Sequence, residues 1–194
     1  MSFADAFAVA VRVHHGQHRK GTRIPYVAHL LAVASIALEY GADEDTRIAA
    51  LLHDAAEDGG GEPVLDEIRA RFGDRVARMV TDASDAIVPA GHPKPPWRER
   101  KERHLAHLAK AQDDSLLVMA ADKLANTRAI ARDVRYDGDS VWGRFKAGKA
   151  DIVWYHQSML ALFRRRGLPA NLLRELEEAV HDLVSVATPS PPSS

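Results

Sequence analysis

Four ionisable side chains crowd one short stretch of this chain. In the run IAALLHDAAED, residues 48–58, His53, Asp54, Glu57 and Asp58 sit directly beside Leu51, Leu52 and Ala55. Read as one continuous helix, 53 and 57 lie a turn apart, as do 54 and 58, so the four groups gather at one end of an apolar segment. Charges in such a place cost several kcal/mol unless they are paired or bound to metal. An imidazole and a carboxylate on adjacent residues can both reach one cation, and further donors must then come from other helices.

Two other positions offer such donors. His29, in PYVAHLLAVASIA, lies in an apolar helical pattern without an acidic neighbour, and alone it reads equally well as a satisfied core histidine. Asp122, in LLVMAADKLANTRA, follows an apolar run where an unpaired carboxylate is costly and a cation would remove the cost. Two imidazoles and two carboxylates leave positions of an octahedral shell open for water or substrate. That donor set favours Mn²⁺, with Fe²⁺, Co²⁺, Mg²⁺ and Zn²⁺ also compatible. Glu57, one turn beyond His53, is placed to take a proton from the attacking water, and Asp58 to orient it or assist the leaving oxygen.

Cations stand near this constellation. The loop GQHRKGTRIP precedes the helix bearing His29, and its Arg19 and Lys20 suit a phosphate-rich ligand, although a solvated charge pair has the same sequence. Asn126, one turn after Asp122, is suited to bonding the backbone or that carboxylate. Arg128, Arg144, Lys146 and Lys149 would reach a second phosphate or simply solvate helix faces. His14, His15, His18, His92, His104, His107, His156 and His181 read as residues of polar faces or loops, without carboxylates at ligand spacing.

The elements that must position these groups are helical. Apolar residues recur at intervals of 3 and 4, and no run alternates with period 2 between turn signals. The expectation is an all-α bundle of about eight to ten helices, one domain over residues 1–186, with a disordered tail at 187–194. A first helix over 3–15 would bury Phe3, Phe7, Ala10 and Val11. Further helices are expected over 26–40, from 44 to the glycines at 59–61 with Asp43 as cap, from Pro63, and from 74 with Asp74 as cap. The loop of residues 89–96, opening at Pro89 and closing at Pro96, is a candidate lid or rim. Helices over 97–111, after Asp114, over 142–166 and over 171–186 complete the set. Trp142, Phe145, Trp154 and Tyr155 would be core, or else the partner-facing stripe of a homodimer.

Composition excludes several alternatives. The 194 residues include no cysteine, which removes disulfides, thiolate catalysis and cysteine-ligated metals. With 26 basic and 27 acidic residues the net charge is −1, which offers no general attraction to nucleic acid or an anionic membrane. No apolar stretch approaches the roughly 18 residues of a membrane span and no secretory signal opens the chain, so the expected compartment is the cytoplasm.

The spaced pattern of a histidine, then His-Asp, then a distant aspartate resembles the HD phosphohydrolase superfamily. The longer segments HHGQHRKGTRIPYVAHL, ALLHDAAED and ADKLANTR together resemble the hydrolase domain of Rel/SpoT-type alarmone enzymes, in particular the stand-alone small alarmone hydrolases, over about residues 3–165. The resemblance implies metal ligation by His29, His53, Asp54 and Asp122, activation of water by Glu57 and Asp58, and nucleotide contacts from Arg19, Lys20 and Asn126. It also implies removal of the 3′-pyrophosphate of guanosine tetra- or pentaphosphate to give GDP or GTP. Within the same shape, an adenine alarmone, the 2′-phosphate of NADPH, or nucleotide sensing without turnover are the alternatives. The chain departs from the family pattern in two places: Met119-Ala120 stands where Lys-Leu is usual, and Leu30 follows His29 in place of the common proline.

Overall fold

The computed structural model describes residues 2–88 and 92–188, and among them the architecture is all-α. Ten α-helices follow in order: α1 Phe3–Val13, α2 Val27–Glu39, α3 Glu44–Leu52, α4 Ala55–Gly59, α5 Glu62–Phe72, α6 Asp74–Ala83, α7 Trp97–Leu108, α8 Asp113–Asp137, α9 Lys149–Arg166 and α10 Ala170–Ala187. A 3-10 segment, Gly138–Arg144, joins α8 to α9. The first three residues of the 89–96 loop and most of the expected tail, residues 189–194, lie outside the described residues.

Local sequence explains the helix starts. Ser2 accepts from the Asp5 amide while the Asp5 side chain returns to the Ser2 amide, a reciprocal cap that opens α1. Asp43 accepts from the Thr46 amide at 2.9 Å and opens α3. Asp74 is not a cap: it is the first residue of α6, where its charge faces the positive end of the helix dipole. In α1 the buried residues are Ala6, Val9 and Ala10, and Val11 is exposed. Phe3 and Phe7 pack against the core beside Ala10 as expected, so Val11 alone departs from the expected face.

The central strut is α8, which packs against α2, α3, α6, α9 and α10. Leu116, Met119 and Leu124 from α8 meet Leu30, Ile48, Leu51, Leu52, Met79 and Phe163 in a core from which water is excluded. Each such side chain contributes about 1.5–3 kcal/mol through burial, and truncation of Leu124 to alanine would cost about 2–5 kcal/mol. A second cluster, including Ile130, Val134, Val141, Trp142 and Ile152, closes the far end of α8. Trp142 and Tyr155 are buried in these clusters, and Phe145 and Trp154 pack against them.

Two breaks differ from the continuous helices expected. The chain leaves helix between Arg144 and Lys149, so the segment read as 142–166 begins at 149. More consequentially, α3 stops at Leu52, and His53 and Asp54 form the turn before α4. The His53 Nδ1 donates to the Ala50 carbonyl at 2.8 Å, an acceptor that an uninterrupted helix would offer to the Asp54 amide.

Candidate metal and phosphate site

The turn between α3 and α4 carries His53 and Asp54, α2 contributes His29 from its first turns, and α8 contributes Asp122. His29 Nε2 lies 3.7 Å from Asp54 Oδ2 and 3.2 Å from Asp122 Oδ1. His53 Nε2 lies 2.9 Å from Asp54 Oδ2 and 3.6 Å from Asp122 Oδ1. Ligand atoms of His29, His53 and Asp54 all fall within 4.8 Å of one another, and the two rings meet edge to face at 5.3 Å. Three of the donors thus form one tight group, and Asp122 borders it through its distances to both imidazole nitrogens.

The hydrogen bonding at this point is unfinished. Since a carbonyl can only accept, His53 Nδ1 carries the proton it shares with Ala50, and Nε2 is left facing the carboxylates. That buried Nε2 has no hydrogen-bond partner; Asp54 is near enough but not aligned. An orphaned imidazole nitrogen among carboxylates fits a divalent cation, and the absence of thiols leaves a nitrogen and oxygen donor set. Without the ion the cluster balances itself electrostatically. Burial opposes the charge on His53, but Asp54 and Asp122 hold it well above the ordinary imidazole value. Burial likewise opposes both carboxylates, yet His53 holds Asp54, and Lys123 with the histidines holds Asp122, well below the carboxylate range.

Asp54 and Asp122 open onto a cavity of about 560 Å³, which Glu57, Asp58, Arg19, Lys20 and Asn126 also line. Asn126 Nδ2 donates to Asp122 Oδ1 at 2.5 Å, and Arg19 Nη2 donates to Asn126 Oδ1 at 3.0 Å, so the cationic loop is tied to the α8 carboxylate. The loop is shaped by an antiparallel bridge between His18 and Pro25 and by Gly21, whose φ of +69° suits glycine. A Cβ at Gly21 would also stand 2.6 Å from the Arg144 side chain. Arg144 lines the cavity but is bonded to Asp133 and Asp137; Arg128 bonds Glu175 and Lys149 bonds Asp139, both away from it.

Glu57 is held on both oxygens. The Asp85 amide donates to Oε2 at 2.9 Å and Lys94 Nζ to Oε1 at 2.8 Å. Burial, followed by the nearby Asp85 carboxylate, raises Glu57 to about 7, a value suited to a proton acceptor near neutrality. Asp58 is more exposed, with Lys94 3.5 Å away. The described part of the 89–96 loop thus reaches the site through Lys94.

Several groups here were not singled out in the sequence. Tyr26 donates to Asp54 Oδ2 at 2.6 Å, and Lys123 Nζ to Asp122 Oδ2 at 2.7 Å. Asp85, nearly inaccessible, pairs with Arg100 and Lys101 of α7. Tyr26 had a signal, because it precedes His29 by one helical turn, and Lys123 adjoins Asp122. Lys94 lies in the loop singled out as a candidate lid or rim, whereas Asp85 had no signal, since only the path of the chain after α6 brings it in. The histidine reading needs correction: His14, His104 and His156 are buried, not on polar faces, and His104 and His156 line the cavity. His107 does face a carboxylate, Asp82, at 2.8 Å. Burial pushes His104 down to about 4 and His156 to about 3, so both remain neutral hydrogen-bonding groups.

The order and spacing of these residues match a described protein family, with residues 6–153 aligning to the model of the HD domain. The chain belongs to the HD domain family. Among its HD-domain relatives, the guanosine-3′,5′-bis(diphosphate) 3′-pyrophosphohydrolase of Aquifex aeolicus is 34% identical over 117 residues, 60% of this chain. The chain spans only 16% of that relative's length. The human guanosine-3′,5′-bis(diphosphate) 3′-pyrophosphohydrolase MESH1 is 34% identical over 131 residues, 66% of this chain and 69% of the relative. In three dimensions the HD domain here superimposes on a metazoan SpoT ortholog described as hydrolysing ppGpp, with a TM-score of 0.72 and 25% identity, covering 92% of this chain and 93% of the other. Among the described residues, no helix is long and apolar enough to cross a membrane.

Proposed function

We propose that this chain is a Mn²⁺-dependent hydrolase that removes the 3′-pyrophosphate of guanosine tetra- or pentaphosphate, yielding GDP or GTP and pyrophosphate. The observation that carries this reading is the convergence of His29, His53, Asp54 and Asp122, with a buried imidazole nitrogen left unbonded, beside a cavity lined by Arg19 and Lys20. The names of the HD-domain relatives supply the substrate class.

In this reading the four side chains would hold the cation, which would supply polarisation of a phosphoryl oxygen and acidification of water. Glu57 accepts the proton of the attacking water, and Lys94 and the Asp85 amide keep its carboxylate in place. Asp58 orients that water from the cavity rim. The bond from phosphorus to the ribose 3′ oxygen breaks as the bond to the water oxygen forms, and the proton taken up by Glu57 is returned to the freed ribose oxygen. Arg19 and Lys20 counter the phosphate charge, and Asn126 links Arg19 to Asp122 so that ligand and metal positions are set together.

The test is incubation of purified protein and Mn²⁺ with guanosine tetraphosphate, its adenine counterpart, NADPH and deoxynucleotides, with products resolved by chromatography. The expected result is GDP and pyrophosphate from the guanine alarmone. Preferential turnover of the adenine compound or NADPH would replace the substrate, and binding without turnover would replace catalysis by sensing.

A further inference from the structure

Tyr26 touches two of the four groups assigned to the metal, and it does so from a rigid seat. Its hydroxyl donates to Asp54 Oδ2, an oxygen that also lies 2.9 Å from His53 Nε2 and 3.7 Å from His29 Nε2. The edge of its ring contacts His29 at 5.5 Å. Its other side stacks on His14, with ring centroids 5.0 Å apart and planes inclined by 26°. The Tyr26 amide donates to the Gln17 carbonyl at 2.9 Å, and the His29 amide donates to the Tyr26 carbonyl at 2.9 Å. Gln17 in turn pairs with His14 Nδ1 at 2.8 Å and donates to the Asp58 carbonyl at 3.1 Å. The turn after α1 is therefore fastened to the start of α2 and to α4, with the Tyr26 hydroxyl at its inner end.

We infer that Tyr26, braced by His14 and Gln17, is a positioning residue that presets the Asp54 carboxylate for the divalent cation. A carboxylate oxygen offers two lone-pair directions, and the phenol occupies one, leaving the other for the ion. A donor without charge does this without competing electrostatically for the site, as a lysine there would. An ordinary phenol, with a pKa of about 10, is already a hydrogen-bond donor at neutral pH. Partners that orient metal ligands typically contribute about 10–100-fold in affinity or activity.

This inference rests on the metal assignment above, and Tyr26→Phe tests it by removing only the hydroxyl. Mn²⁺ dissociation constants are measured by calorimetry on the chelator-stripped full chain, with melting recorded with and without chelator. The expected outcome is an affinity at least about tenfold weaker in Tyr26→Phe, with the chelated melting temperature unchanged. His14→Leu, which keeps the hydroxyl and loses the stack, should weaken Mn²⁺ by a smaller factor. If Tyr26→Phe also melts earlier when chelated, the Mn²⁺-induced rise of each variant over its own chelated state is compared, and a smaller rise than in the unmodified chain is expected. Equal Mn²⁺ affinity, or an equal rise, in Tyr26→Phe and the unmodified chain overturns the role of Tyr26. No Mn²⁺ binding by the unmodified chain overturns the metal assignment instead.

Discussion

Among the described residues, two of the charge clusters that cross helix interfaces make a contrast, one finished and one not. The finished cluster joins α3, α6, α7 and α8. Arg75 bonds Asp43 at 2.6 Å and Asp114 at 3.0 Å, Arg78 bonds Asp114 at 2.7 Å and Ser115 at 2.8 Å, and Asp82 takes Ser115 and His107. None of the buried side-chain atoms lacking a hydrogen-bond partner belongs to it. The unfinished cluster is His29, His53, Asp54 and Asp122, where His53 Nε2 has no partner. The difference is instructive: a network whose donors and acceptors match needs no ligand, whereas one that gathers acceptors and lone pairs around a point asks for a cation.

The comparison breaks first at Asp122. With Mn²⁺ at about a hundredfold over its dissociation constant, the unmodified chain should gain about 2.7 kcal/mol of stability. Asp122→Ala should lose that gain and all turnover, and thermal melts with and without chelator read the first. A Mn²⁺ response surviving in Asp122→Ala would show that this cluster is not the metal site. Glu57→Gln sharpens the division of labour: the Mn²⁺ response should persist while kcat falls by about 10²–10⁴-fold.

The pH profile comes next. Glu57 sits at about 7 and must be ionised to accept a proton, so kcat should rise as pH climbs through that value. Lys94 lowers the Glu57 value, hence Lys94→Ala should move the rising limb to higher pH. A limb that stays in place would detach Glu57 from the proton transfer. In the finished cluster, Arg78→Ala leaves Asp114 and Asp82 short of donors and should cost about 1–3 kcal/mol by urea unfolding, with Mn²⁺ affinity unchanged. The smallest effect belongs to Arg69→Ala, whose partners Asp66 and Asp74 are largely exposed; the unfolding midpoint should move by no more than about 0.5 kcal/mol equivalent.

Much of this was legible in the sequence because it depends on local periodicity and on the cost of burying charge. The 3 and 4 spacing announced helices, Asp43 and the glycines marked where they begin and end, and His53-Asp54 stood out against Leu51 and Leu52. The helix break at 53–54 was not legible, because the imidazole bond to the Ala50 carbonyl that accompanies it leaves no mark in the periodicity. On α1 the inward residues Phe3, Phe7 and Ala10 were legible, but the exact edge of the face, where Val9 is buried and Val11 exposed, depends on contact with α3.

The sequence by itself determined which side chains have the chemistry to hold a cation, and that they lie in apolar segments where bare charge is expensive. Only the tertiary structure decided that residues 29, 53, 54 and 122 meet, that Tyr26 fastens Asp54, and that Lys94 and Asp85 flank Glu57. The physical reason is that an ion's surroundings are set by distances of a few ångströms between segments far apart in the chain. Those distances follow from how α2, α3 and α8 pack, which spacing along one helix does not encode.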